Sequence, residues 1–158
     1  MSSLARPSSP SSGLPDPPDS SDTSDRAGSA DFAARCDTIE EAYEFFLAYA
    51  SQGLPSDQGS EKGRDVRGYL RRCDAALMGI GELVLGFAER AGLDPAPYRA
   101  FADVIERDAR DASATIRLVL AQPAVGSQLI DNLNASIHLR ALLTDLFLID
   151  EALKLHRQ

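Results

Sequence analysis

Two apolar series, separated by a four-residue link, constrain this chain more than any other feature. Val66, Leu70, Cys73, Leu77, Ile80, Val84, Phe87 and Ala91 recur at alternating intervals of four and three, and Tyr98, Ala102, Ile105, Ala109, Ala112, Ile116 and Val119 repeat the pattern. Such intervals place every member on one stripe of a helix, the seam of a helix packed lengthwise on another. The link is Gly92-Leu93-Asp94-Pro95. Glycine ends a helix in the left-handed conformation, and Asp followed by Pro supplies the N-cap and first residue of the next. So short a link turns the chain back on itself. The spacing therefore predicts one helix from about Glu61 or Arg64 to Ala91, a second over 95–121, and an antiparallel hairpin between them.

A shorter helix precedes this pair. Thr38-Ile39-Glu40-Glu41 has the form of a capping box, with Thr38 as N-cap and Glu41 reaching back. Ile39, Ala42, Tyr43, Phe46, Tyr49 and Ala50 then share one face, and Gly53-Leu54-Pro55 is a stop signal. A last helix is expected from Ser127, as N-cap, to about Leu155. Its first apolar face is Ile130, Leu133 and Ile137, continued by Ala141, Leu148 and Leu155. Beyond residue 138, however, Leu139, Leu142, Leu143, Leu146, Ile149 and Leu153 fall on nearly the opposite side.

A helix apolar on two sides needs two partners, and a four-helix bundle has no central helix. The sequence thus predicts that Leu139, Leu142, Leu143, Leu146, Ile149 and Leu153 bury against a second copy, as a homodimer. The predicted fold class is all-α: an antiparallel up-down-up-down four-helix bundle, with a shorter first helix and three long ones, over 31–158. Residues 1–30 are dominated by Ser, Pro, Asp and Gly and hold too little apolar surface to offset ordering entropy, so a disordered tail is expected there.

Composition narrows the partners. The net charge of −8 opposes general affinity for nucleic acid or an anionic membrane surface. No apolar run approaches the ~20 residues that cross a bilayer, and the start of the chain lacks the apolar core of a signal peptide. Cys36 and Cys73 stand far apart in no metal-ligand spacing, as reduced thiols do in a cytoplasmic protein.

Catalytic signatures are scarce. Gly79, Gly81 and Gly86 give GxGxxxxG, which is neither the dinucleotide fingerprint nor a phosphate loop, and the uninterrupted seam denies them a strand–turn–helix setting. Di-iron bundles use Glu-x-x-His pairs, yet the residues three before His138 and His156 are Ala135 and Leu153. No cofactor or metal is therefore expected. Asn134, His138 and Asp145 form a polar stripe on the last helix, the basis of a competing reading as a ligand- or metal-binding bundle, conceivably an enzyme. His138 and Asp145 are two turns apart, roughly 10 Å along the axis, too far to bond directly.

Two further groups invite a contact role. Arg64, Arg67, Arg71 and Arg72 crowd the start of the second helix, where cations oppose the macrodipole, and could bind an acidic partner. Pairing with local carboxylates is the alternative. Gly68, Ala75, Gly79 and Gly86 gather opposite the seam, where small residues would let another helix backbone approach closely. The resulting expectation is a small cytoplasmic, non-catalytic protein acting through protein–protein contacts in an accessory, adaptor or regulatory role.

Overall fold

A computed structural model describes residues 20–156, and over this range the chain is all-helical. Six helices are found where four were expected: α1 (Ser20–Ala50), α2 (Glu61–Leu77), α3 (Ile80–Arg90), α4 (Pro95–Leu120), α5 (Ser127–Ala135) and α6 (His138–Lys154). The hairpin predicted from the twin seams is α3–α4. Gly92 takes φ 66°, its N–H donates to the Glu89 carbonyl, and Leu93 N–H donates to that of Ala88, both at 3.1 Å. This double closure satisfies carbonyls that the end of α3 would otherwise leave bare. Asp94 then accepts from Ala96 N–H at 3.2 Å, with Pro95 opening α4.

The helix expected over 61–91 is broken. Met78 is extended and Gly79 left-handed at φ 68°, so α2 ends at Leu77 and α3 restarts at Ile80. Both flanking seam residues stay buried, which is why periodicity gave no sign of the break. The freed backbone groups find partners on two sides. Arg35 of α1 donates to the Met78 carbonyl, and Gly81 N–H donates to Glu106 Oε1 of α4 at 2.7 Å.

A second break resolves the two-sided last helix. Ser136 closes α5 with its hydroxyl on the Leu133 carbonyl, and Ile137 is left-handed at φ 67° before α6 begins at His138. The change in direction rotates the apolar face. Leu139, Leu142, Leu143, Leu146, Ile149 and Leu153 are therefore all buried within the chain, while Ile137, Leu148 and Leu155 are exposed. The feature from which a second copy was inferred comes from a bend.

Two capping assignments also need correction. Thr38 lies inside α1, where its hydroxyl donates back to the Ala34 carbonyl at 2.9 Å. The same side chain that caps a helix start also bonds one turn back when the preceding residues are helical. Phe32, buried upstream, anchors that extension. Residues 20–30 of the expected tail thus belong to α1, and residues 1–19 lie outside the described residues. At the other end, Gly126 occupies the cap position of α5. Ser127 is buried, donating to the Tyr49 carbonyl at 2.6 Å and accepting from Leu54 N–H at 2.9 Å.

α1 and α4 each pack against α2, α3, α5 and α6. Ile39, Phe46, Leu70, Ile80, Ile105, Ile116, Ile130 and Leu142 are among the side chains enclosed between them. Paired contacts run antiparallel. Along α1 and the segment that leads through α5, Tyr49 bonds the Val125 carbonyl and Asn134 bonds that of Phe46. Along α2 and α4, Arg67 meets the Leu120 carbonyl and Asp74 meets Arg117.

Candidate functional site

The four arginines of α2 separate once the chain is folded. Arg67 turns inward: Nε donates to Asp57 Oδ2 at 2.6 Å, Nη1 to the Leu120 carbonyl at 3.0 Å and Nη2 to the Gln122 carbonyl at 2.8 Å. Its guanidinium closes the C-terminal end of α4, where a cation suits both the free carbonyls and the dipole. Asp57 completes the knot by accepting Val125 N–H at 2.9 Å. Burial alone would raise the Asp57 carboxyl, but the bonds from Val125 and Arg67 outweigh it and hold the group below its ordinary value. Arg67 is thus paired with Asp57, a carboxylate of the loop before α2, and with the end of α4. Arg64, Arg71 and Arg72 remain exposed, with Arg72 laid over the Tyr69 ring at 4.5 Å.

Among the described residues, no helix packs on the small-residue group. A β-carbon at Gly68 or Gly86 would meet only the guanidinium of Arg72 or Arg90, Gly79 serves the α2–α3 break, and Ala75 is exposed. The close approach is made by Gly81 instead. A β-carbon there would stand 2.7 Å from the Ala102 carbonyl oxygen and 2.6 Å from Glu106 Cγ.

Asn134, His138 and Asp145 are likewise not brought together. Asn134 sits on α5 and donates to the Phe46 carbonyl at 3.2 Å, leaving its buried Oδ1 without a partner among the described residues. His138 is half-buried at the start of α6. Asp145 faces α4, where its neighbour is Asp108. Burial first, and then Asp108, push the Asp145 carboxyl up to about 7. Its Oδ2 is buried with no hydrogen-bond partner among the described residues.

The thiols offer no ready nucleophile. Burial pushes both up to about 12, aided at Cys36 by Glu40, Asp150 and Asp37, and at Cys73 by Asp74. Neither forms a disulfide. Among the described residues, no group of three or more His, Cys, Asp and Glu is placed to hold a metal ion, and no helix is long and apolar enough to cross a membrane.

A groove is the remaining candidate. Pro97, Tyr98 and Phe101 of α4 and Leu148, Ile149 and Ala152 of α6 line an apolar cavity of about 270 Å³. Leu148, in its α6 wall, is 61% exposed; Phe147, 56% exposed, lines a separate cleft with Phe32 and Cys36 of α1, and Leu155 lies beyond the helix end at 69%.

No family model, curated protein or solved structure matches the chain. The groove and its apolar rim therefore rest on geometry alone. Sequence reasoning saw Leu148 and Leu155 as continuing the buried stripe of the last helix. It missed the groove because the bend at Ile137, which turns them outward, leaves no mark in the apolar spacing of either half.

Proposed function

We propose that this chain is a cytoplasmic, non-catalytic helical module that works through protein–protein contacts in an accessory, adaptor or regulatory role, and that it associates with a second copy of itself. The observation in favour is the α4–α6 groove. Leu148, a large apolar side chain that is mostly exposed, forms part of the wall of an apolar cavity whose opposite side is Tyr98 and Phe101, and Phe147 and Leu155 add exposed apolar surface elsewhere on this end of the chain. Aromatic side chains beside exposed aliphatic ones are the composition of a contact surface rather than of a solvated one. On this reading the contact surface is the outer side of α6, in place of the buried leucines. We also read α2–α3 and α5–α6 as two bent rods, which with α1 and α4 trace an up-down-up-down four-rod path.

Light scattering coupled to size exclusion tests the proposal, on the full chain and on Leu148→Glu. Leu148 is mostly exposed, so a charge there leaves the core intact. The expected result is a two-chain mass for the parent protein and a one-chain mass for the variant. A one-chain mass for the parent at micromolar concentration removes self-association, and a variant that still dimerises removes the groove as the interface. Stoichiometric iron or a visible chromophore in the purified protein would overturn the non-catalytic reading.

A further inference from the structure

We propose that Asp108 and Asp145 form a proton-dependent clasp between α4 and α6, closed while the two carboxyls share one proton and loosened once both ionise. The proposal goes beyond the docking role of the groove and holds whether or not a second copy binds there.

The geometry carries it. Asp108 lies on α4 between the core residues Ile105 and Ala112, and Asp145 lies on α6 between Leu142 and Leu146. Both side chains are half-buried, which brings two acids into an otherwise apolar seam. An ionised carboxylate only accepts hydrogen bonds, so two of them cannot satisfy each other. That leaves Asp145 Oδ2 buried and without a donor among the described residues. One proton supplies the missing donor and removes one of two like charges, as in any close pair of carboxyls.

Among the described residues, no other group does this work. On α4, Arg107 and Asp111 flank Asp108 but are exposed, and on α6 so is Arg140. His138 is two turns away at the head of α6. From α1, the titratable groups nearest α6 are Cys36, Asp37 and Glu40, which gather round Asp150. From α5, Asp131 is exposed. Among the described residues only Asp108 acts on the Asp145 carboxyl, and burial acts with it.

The direction of the linkage follows. An unfolded Asp titrates near 3.8, whereas Asp145 in the folded chain is pushed up to about 7. Between these values the folded chain holds a proton that the unfolded chain has lost. Stability from this pair is therefore complete below the lower value, falls as pH rises through the window, and is gone above the upper one.

The test uses the full chain. Carboxyl-carbon NMR follows Asp145 directly, and its midpoint is expected near neutrality. Thermal unfolding at pH 5 and pH 8 is compared for the parent and Asp145→Asn. The amide of the variant donates to Asp108 at either pH and mimics the closed clasp. The parent is expected to lose several degrees of Tm relative to the variant between the two pH values. Amide exchange over 142–149, corrected for intrinsic rates, should quicken at pH 8 in the parent alone. An Asp145 midpoint in the ordinary carboxylate range overturns the proposal, whether or not the variant folds. So does a variant whose Tm falls as steeply as the parent's.

Discussion

Gly81 and Glu106 are fitted to each other in two ways: the glycine N–H donates to Oε1 at 2.7 Å, and Cγ of the same glutamate occupies the space a β-carbon would need, at 2.6 Å. The contact fastens α3 to α4 just after the break at Gly79, and the Ala102 carbonyl oxygen fixes the other wall. Alanine at position 81 gains about 1 kcal/mol in helix propensity. It also drives a methyl group into a backbone oxygen that cannot rotate away, an overpacking cost of roughly 1–3 kcal/mol. Gly81→Ala is expected to lower stability overall in chemical denaturation. An unchanged midpoint would show that α4 yields easily.

The same substitution should act in the opposite sense at Gly68. There a β-carbon meets only Arg72 Nη1 at 3.7 Å, an ordinary contact, and the backbone is helical. Gly68→Ala is expected to stabilise by about 0.5–1 kcal/mol through the lower entropy of the unfolded chain. Gly79→Ala, at φ 68°, should instead cost about 1 kcal/mol, since a side chain strains a left-handed residue. A loss on Gly68→Ala without loss of α2 helicity would mean that another backbone does approach this face, as the small-residue pattern first suggested.

The contrast among these glycines shows what was legible in the sequence. Seam positions from Val66 to Val84 and from Ala102 to Val119 are buried as their spacing requires, because burial along a helix repeats and periodicity reports it directly. The hairpin at Gly92–Pro95 was equally readable, each residue type having one physical use there. Breaks were not. Gly79 and Ile137 each change the direction of a helix without interrupting its run of apolar residues, so a bent helix and a two-faced helix present the same string. The side-chain partners were hidden for another reason. Arg67 joins Asp57, ten residues away, to the end of α4, and Asp145 meets Asp108 across two helices, pairings that depend on tertiary register.

Arg67 and Asp57 set the acid limit of that end of the fold. The pair is only 23% and 11% exposed, and the guanidinium also holds two carbonyls of the α4 terminus. Arg67→Ala strands an Asp57 carboxylate and frees both carbonyls, for an expected loss of about 2–3 kcal/mol. Because the Asp57 carboxyl is held below its ordinary value, its contribution is complete above the unfolded value of 3.8 and disappears as pH falls through the folded one. The gap between parent and Asp57→Asn in denaturant midpoint should therefore be constant near neutrality and close in strong acid. A gap that persists at pH 2 would assign the effect to packing.

Ile137 supplies the sharpest separation between a strained joint and a comfortable one. It is the sole non-glycine residue with positive φ among the described residues, it is β-branched, and 54% of it is exposed. Left-handed backbone costs such a residue roughly 1–2 kcal/mol. Little burial is available at this position to offset the strain. Yet the joint fixes the register of α6, since Ala141 N–H donates to the Ile137 carbonyl at 2.7 Å and six apolar side chains of α6 reach the core beyond it. Glycine keeps that carbonyl, removes the strain and gives up only a half-exposed side chain. Ile137→Gly is expected to raise stability by about 0.5–1 kcal/mol, with far-ultraviolet circular dichroism unchanged. A fall in stability with loss of helix signal would mean that the isoleucine side chain itself holds α5 against α6, and that the bend depends on its packing.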